Sequence, residues 1–446
     1  MRDMTRGNPF THLIHYAIPL LLANWLQLAY NAIDSIIAGR FIGQDALAAE
    51  GIAAPVMNLV ILSISGICIG AGILMSEHYG AKNMSALRRT IAVTLKTGIL
   101  ISSTVALIGF IASGLLVRIM QVPDDISDIT AVYLRITFLG APFTFAYNAL
   151  ASAMKSVGDS KTPLRFLAFC SILNAVLDVI LLGFFHMGIF TSAMTTLVAE
   201  ALSALLAWHY LVTRTHDLVP VEDEWNYDRN IFANLVRYGA PTALQQTIQP
   251  IGKVIIQGQV NMLGVSSIAA FHAVTRADDF ACIPEQGISS AMSTYIAQNR
   301  GAGKNERITS GFKAGIFIEI CYGLSIALIT YLLRNHIVAL FVSGEAAEEV
   351  ILRGSEYLSV MAFMYILPGL TNGFQGFYRG MGRMKMTILG TVIQISFRTL
   401  FTILLAPKTG IRGIAYASGI GWTIMLLVEI PIAIWSMIKM NKEAEH

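Results

Sequence analysis

Apolar runs long enough to cross a lipid bilayer recur along the whole chain. Twelve can be counted, the first at 12–39 and the last at 411–438. A hydrocarbon core of about 30 Å needs roughly 20 helical residues, and within it each backbone N–H and C=O must find its partner inside the protein. Each run is therefore committed to a helix, and the expected fold is an all-α membrane protein of twelve transmembrane helices. Several runs exceed the minimum, which predicts tilt or kinks. Composition agrees: 55% of the residues are hydrophobic and 13% charged, against about 25% charged in soluble domains. The opening "MRDMTRGNPFTHLIHYAIP" has no small-residue cleavage pattern, so no secretory signal is expected. Cys68, Cys170, Cys282 and Cys321 all fall inside apolar runs and read as packing residues, not as a disulfide or metal framework.

Lys and Arg set the expected orientation, because short cytoplasmic loops retain positive charge. One side carries Arg2 and Arg6, Lys82 with Arg88 and Arg89, Lys161 and Arg165, Arg214 and Arg229, Arg300 with Lys304 and Arg307, and Arg379 with Arg383. The other side has far fewer, among them Arg40, Arg118, Arg334 and Arg412. Both termini are thus expected in the cytoplasm, with the protein in the plasma (inner) membrane. The net charge of +3 is spread over these loops and balanced by acids, so it does not suggest a nucleic-acid partner.

The chain also repeats itself. "HYAIP" at 15–19 answers "RYGAP" at 237–241, "IGQDALAA" at 42–49 answers "LGVSSIAA" at 263–270, and "YGAKN" at 79–83 answers "RGAGK" at 300–304, at offsets of 222, 221 and 221. "KSVGDSK" at 155–161 answers "RGMGRMK" at 379–385 at offset 224. Six helices per copy is an even number, so two parallel, pseudo-symmetric six-helix bundles are expected: 1–213, a cytoplasmic linker at 214–229, and 230–446. Parallel repeats of this kind are a transporter plan.

A carboxylate at mid-membrane costs roughly 2.5–3.5 kcal/mol on insertion scales, so each one asks for a function or a partner. Asp34 in "YNAIDSIIAGR" is one; pairing with Arg40 is its structural alternative. Asn174 and Asp178 in "NAVLD" are spaced i, i+4 and share a helix face. With Asp34 they would offer hard oxygen ligands to a small cation, or a shared proton site; interhelical hydrogen bonding is the alternative. Glu200 is a weaker candidate. The second copy differs: Ile255 and Ile256 stand where Asp34 would map, next to Lys253. Its eighth run instead packs Arg276, Asp278, Asp279 and Glu285 into ten residues, which suggests a water-filled lumen. Arg398, at the position answering Asn174, is expected to pair with one of those acids. Tyr30 and Met154 are candidates for an adaptable apolar cavity.

The chain resembles the multidrug and toxic compound extrusion (MATE) transporters across essentially its whole length. The resemblance rests on the first helix "AIP…YNAIDSIIAGRFIG", the Asn-x-x-x-Asp of the fifth helix and "PEQGISSAM" in the eighth. It implies a cation or proton site formed by Asp34, Asn174, Asp178 and Thr196, Thr195 being adjacent. It also implies a bendable first helix at Pro19, where proline removes a backbone hydrogen bond, and a functional acid at Glu285. The implied function is secondary active efflux of organic cations in exchange for protons or sodium, by alternating access. With sodium as the coupling ion, Asp34, Asn174 and Asp178 would be its ligands.

Other classes fit less well. The loop "YGAKNMSALRR" lacks the Gly-x-x-x-Asp-Arg-x-Gly signature of the major facilitator porters. A flippase for lipid-linked or other amphiphilic cargo, from the same superfamily, stays open as the alternative. No P-loop, G-x-S-x-G elbow or metal-spaced His/Cys cluster appears, so no enzyme activity is expected. No cofactor beyond the coupling ion, and no partner beyond organic cations and membrane lipid, is implied.

Overall fold

The computed structural model describes residues 2–185, 187–342 and 347–445. Its long helices are α1 (Pro9–Phe41), α2 (Gln44–Gly80), α3 (Met84–Ile119), α4 (Asp124–Ser156), α5 (Lys161–Asp178), α6 (Ile189–Arg214), α7 (Arg229–Asn261), α8 (Val265–Gly301), α9 (Asn305–Ala339), α10 (Ala347–Met364), α11 (Ile366–Gly380), α12 (Met384–Thr409) and α13 (Ile411–Glu445). α10 and α11 meet at a bend of 46°, and with that pair taken together the long helices number twelve among the described residues. No strand occurs among the described residues. α7 and α8 are long enough to span but less apolar than the others. In α8 the cause is the dense set of charges between Arg276 and Glu285.

The solvent-facing logic of a soluble protein is inverted. Along α3, Leu100, Leu107, Ile108, Ile111, Leu115 and Ile119 are exposed, and their three-to-four spacing makes one outward apolar stripe. That stripe suits lipid. The inner face of the same helix is lined with small residues, Gly98, Ser102, Ala106, Gly109 and Ser113. A Cβ on Gly98 would collide with the Phe145 ring of α4, and one on Gly109 with the Phe138 ring. Small residues on α3 thus accept large ones from α4, as expected where close packing must replace the hydrophobic effect as the force between helices.

Two compact units emerge, Met1–Asp3 with Leu22–Ala243, and Met4–Leu21 with Leu244–His446. The chain therefore changes unit inside α1, just after Pro19, and inside α7, just after Pro241. The sequence suggested a division in the polar stretch 214–229. That stretch instead lies within the first unit, held by a bidentate ion pair from Arg88 to Glu224 at 2.7 and 2.9 Å. A polar segment marks a loop, but which unit a helix packs in depends on contacts that polarity does not reveal.

Duplication is visible in the backbone. Left-handed residues occur at Gly43 and Gly264, Lys82 and Gly303, and Gly158 and Gly382. These pairs are 221, 221 and 224 residues apart, the offsets of the sequence repeats. Each pair marks the same tight interhelical turn in the two copies.

Candidate ion-coupling site

In the first unit α5 carries Asn174 and Asp178 on one face, and both are completely buried. The α-helix ends at Asp178 and continues as a π-helical segment, Val179–Phe184. Such a segment widens the turn, and π-bulges are frequent at functional sites. α6 supplies the hydroxyl of Thr195, which donates to Asp178 Oδ1. Asp178 Oδ2 accepts no hydrogen bond, and the Asp34 carboxyl of α1 lies within hydrogen-bonding reach of Asp178. Asn174 has neither its Oδ1 nor its Nδ2 paired. An unmet buried polar atom costs about 1–3 kcal/mol, and here three of them gather one turn apart on the same helix. A proton between the carboxyls, or a small cation held by oxygens, would satisfy what the protein leaves open.

Asp34, Asn174 and Asp178 are thus brought together. The hydroxyl on Asp178 comes from Thr195, whereas Thr196 donates to the Ser192 carbonyl at 3.1 Å and meets Tyr30. Adjacent helical residues point about 100° apart, so only one of the two threonines reaches the carboxylate. Glu50, on α2, is a further acid beside this cluster that its sequence context alone does not single out: Ser192 donates to its Oε1 at 3.4 Å, and Tyr133 and Asp34 are its electrostatic neighbours. Its signal is an acid in the midst of the apolar "ALAAEGIAAP". Glu200 hydrogen-bonds Thr144 and fills the space that Gly140 leaves. Met154 is not a cavity residue, because it is 1% exposed within the core cluster of Met75, Leu150 and Phe145.

In the second unit the charges of α8 divide. Asp278 accepts from the hydroxyls of Tyr357 at 2.9 Å and Tyr365 at 2.5 Å, with Arg398 as its nearby cation. No hydrogen bond or ion pair joins the two among the described residues, and Arg398 Nε is buried without a partner. Asp279 turns outward to Lys253 at 3.4 Å, and Arg276 is exposed. Glu285 is fully buried and receives only a long contact, 3.4 Å, from Asn372 Nδ2. The helix thus spreads these four charges over several faces.

Helices of membrane-crossing length and apolarity, an internal duplication and a buried polar cluster with unmet valences are the plan of a multi-pass membrane transporter. The model of the MatE family matches twice, at residues 19–180 and 241–404, one match per repeat, and the chain belongs to that family. Among curated relatives, the probable multidrug resistance protein YpnP of Bacillus subtilis (strain 168) is 29% identical over 427 residues, covering 94% of each chain. The multidrug export protein MepA of Staphylococcus aureus (strain NCTC 8325 / PS 47) is 20% identical, covering 92% of this chain and 90% of that one. Among solved structures, a MATE transporter in the bent conformation superposes with a TM-score of 0.93 at 19% identity, over 99% of this chain and 98% of that one. A transporter of the MOP superfamily from Pyrococcus furiosus Vc1 (DSM3638) gives 0.90 at 20% identity, over 98% of each chain. These likenesses carry the fold.

Proposed function

We propose that the protein is a multidrug efflux antiporter that exports organic cations in exchange for protons or sodium by alternating access. The observation that carries this reading is the cluster of Asp34, Asn174 and Asp178, a buried set of oxygens with nothing on Asp178 Oδ2 or on the Asn174 amide. The names of the relatives, a multidrug resistance protein and a multidrug export protein, support the substrate class.

The chemistry follows from charge. Two carboxylates in contact repel, and uptake of one proton or one sodium ion removes that repulsion. Loading from outside thus neutralises the first unit as an organic cation leaves, and unloading into the cytoplasm restores its charge for the next one. Exchange of one proton for one monovalent cation moves no net charge. Only the pH difference then drives it, and each pH unit supplies about 1.4 kcal/mol, a tenfold concentration ratio.

The test is ethidium efflux from proteoliposomes, driven by a proton gradient alone and then by a sodium gradient alone. One gradient should drive export, and that result names the ion. If neither moves the dye, a flippase for amphiphilic cargo becomes the better reading.

A further inference from the structure

The outer face of α12 and α13 changes character along its length. On α13 the exposed residues Leu427, Ile434 and Ile438 recur at helical spacing and make an apolar stripe like that of α3. Toward the end of the helix the same face gains an aromatic and then basic residues. Trp435 is 58% exposed, and Lys439 and Lys442, further along, are exposed too. α12 lies antiparallel against α13, close enough that a Cβ on Gly421 would sit 2.8 Å from the Gln394 carbonyl oxygen. The start of α12 therefore stands beside the end of α13, and it brings Arg383, its N-cap, and the exposed Lys385.

These side chains converge. Arg383 donates to the Ser436 hydroxyl and sets its guanidinium over the Trp435 ring, 5.8 Å from the centroid, while Lys439 Nζ lies 5.6 Å from the same centroid. An aromatic face attracts cations, so Trp435 gathers two positive charges, from two helices, at one exposed spot. From 383 to 442 the sequence holds a single acid, Glu429, and that one is buried; acids return at Glu443. The first unit differs at the corresponding helix pair, α5 and α6. There Trp208, near the end of α6, is covered by Trp225 of the 214–229 segment, with ring centroids 6.4 Å apart. Among the described residues no ring covers Trp435 in this way.

Depth in the membrane selects the occupant. Tryptophan, with an apolar body and one N–H, belongs at the level of the lipid headgroups. The exposed leucine and isoleucines of α13 face acyl chains, and Lys and Arg clustered at the headgroup level attract anionic lipids. A guanidinium offers a phosphate group two parallel N–H donors, and lysine adds a point charge. We propose that Arg383, Lys385, Trp435 and Lys439 form a binding site for an anionic phospholipid, its phosphodiester meeting the two cations at the Trp435 ring and its acyl chains lying along the apolar stripe of α13. The site stands apart from the Asp34 cluster, so it holds whatever ion or substrate the protein moves.

Native mass spectrometry of the full chain, released from micelles holding equal amounts of phosphatidylglycerol and phosphatidylcholine, counts each lipid that stays bound. A basic residue at the surface favours an anionic headgroup about fivefold. Arg383→Gln with Lys439→Gln should therefore lower the ratio of retained phosphatidylglycerol to phosphatidylcholine about fivefold for each cation removed. Arg89→Gln with Lys313→Gln takes two exposed cations from α3 and α9 and should leave the ratio near that of the wild type. Equal losses in the two double variants would overturn the proposal, because the cations would then act only as scattered interfacial charge. An unchanged ratio in the first would overturn it as well. If Arg383→Gln does not fold, Lys439→Gln and Trp435→Leu, both at exposed positions, carry the same test, and an unchanged ratio in both would refute the site. Thermal unfolding distinguishes a lipid from a soluble anion: phosphatidylglycerol should raise the melting temperature of the wild type, and equal stabilisation by inorganic phosphate would overturn the lipid assignment.

Discussion

The linker clamp offers a magnitude that can be worked from named bonds. Glu224 is 3% exposed, and its carboxylate accepts from Arg88 Nε at 2.7 Å, from Arg88 Nη2 at 2.9 Å and from the Val221 N–H at 3.1 Å. Arg88→Met removes both charge-assisted bonds, keeps most of the apolar stem, and strands a buried carboxylate. Breaking such a pair costs about 3 kcal/mol, a roughly hundredfold rise in the population with the linker undocked. Arg214 and Arg229 flank the segment and are both exposed, so trypsin cleavage within 214–229 should accelerate about as much when opening is fast. The double variant Arg88→Met with Glu224→Leu should be cleaved more slowly than the single one, because no unpaired charge remains. The hydrogen bond from Arg88, ahead of those from Val221 and Ser85, holds the Glu224 carboxyl below its usual range. A lowered folded-state value means the clamp stabilises above the ordinary glutamate pKa and is lost as pH falls through the lowered one. Cleavage of the wild type should therefore be flat near neutrality and speed up only under acid, with an acid protease as the probe there. Cleavage of Arg88→Met at the wild-type rate would refute the reasoning.

Three further outcomes follow from the packing and the site. Gly66→Ala and Gly70→Ala should each destabilise by about 1–3 kcal/mol or more, because the added Cβ of Gly70 would sit 2.6 Å from the Gly239 backbone and that of Gly66 would overlap the backbone of Ala243; thermal unfolding in detergent reads this, and wild-type melting would contradict it. Thr195→Val should impair ion-driven dye efflux at least tenfold, since a hydrogen bond to a charged group contributes about 1.5–3 kcal/mol, whereas Thr196→Val leaves Asp178 Oδ1 served and should cost far less. Equal losses in the two would refute the assignment of Thr195. Met154→Ala should lower stability by about 2–5 kcal/mol without changing the range of exported dyes; an altered range with normal melting would place Met154 at a substrate.

Much of this architecture is legible in the sequence because lipid leaves so few options. Apolar length commits each run to a helix, and the repeats at 15–19 and 237–241 foretell the left-handed turns that recur 221 to 224 residues apart. The i, i+4 pair Asn174 and Asp178 is readable for the same reason, since helical periodicity alone puts both on one face. What escapes is whatever depends on rotation and on contacts between helices. Thr195 and Thr196 are chemically identical neighbours, and only the azimuth of α6 decides which one reaches Asp178. Glu50 and Glu319 carried the same signal as Asp34, a single acid in an apolar run, yet nothing local tells which helices their neighbours come from. The Gly66-x-x-x-Gly70 pattern, a small-residue motif of close-packed membrane helices, was likewise present in "SGICIGAG" without its partner, the backbone of α7, being readable.

The most direct test of the central claim is ethidium efflux under a proton or sodium gradient by Asp34→Asn and Asp178→Asn proteoliposomes beside wild type, with melting temperatures recorded on the same preparations. Coupling through the buried pair predicts that both variants stay folded and lose gradient-driven export. Wild-type export by a folded Asp34→Asn protein would contradict it.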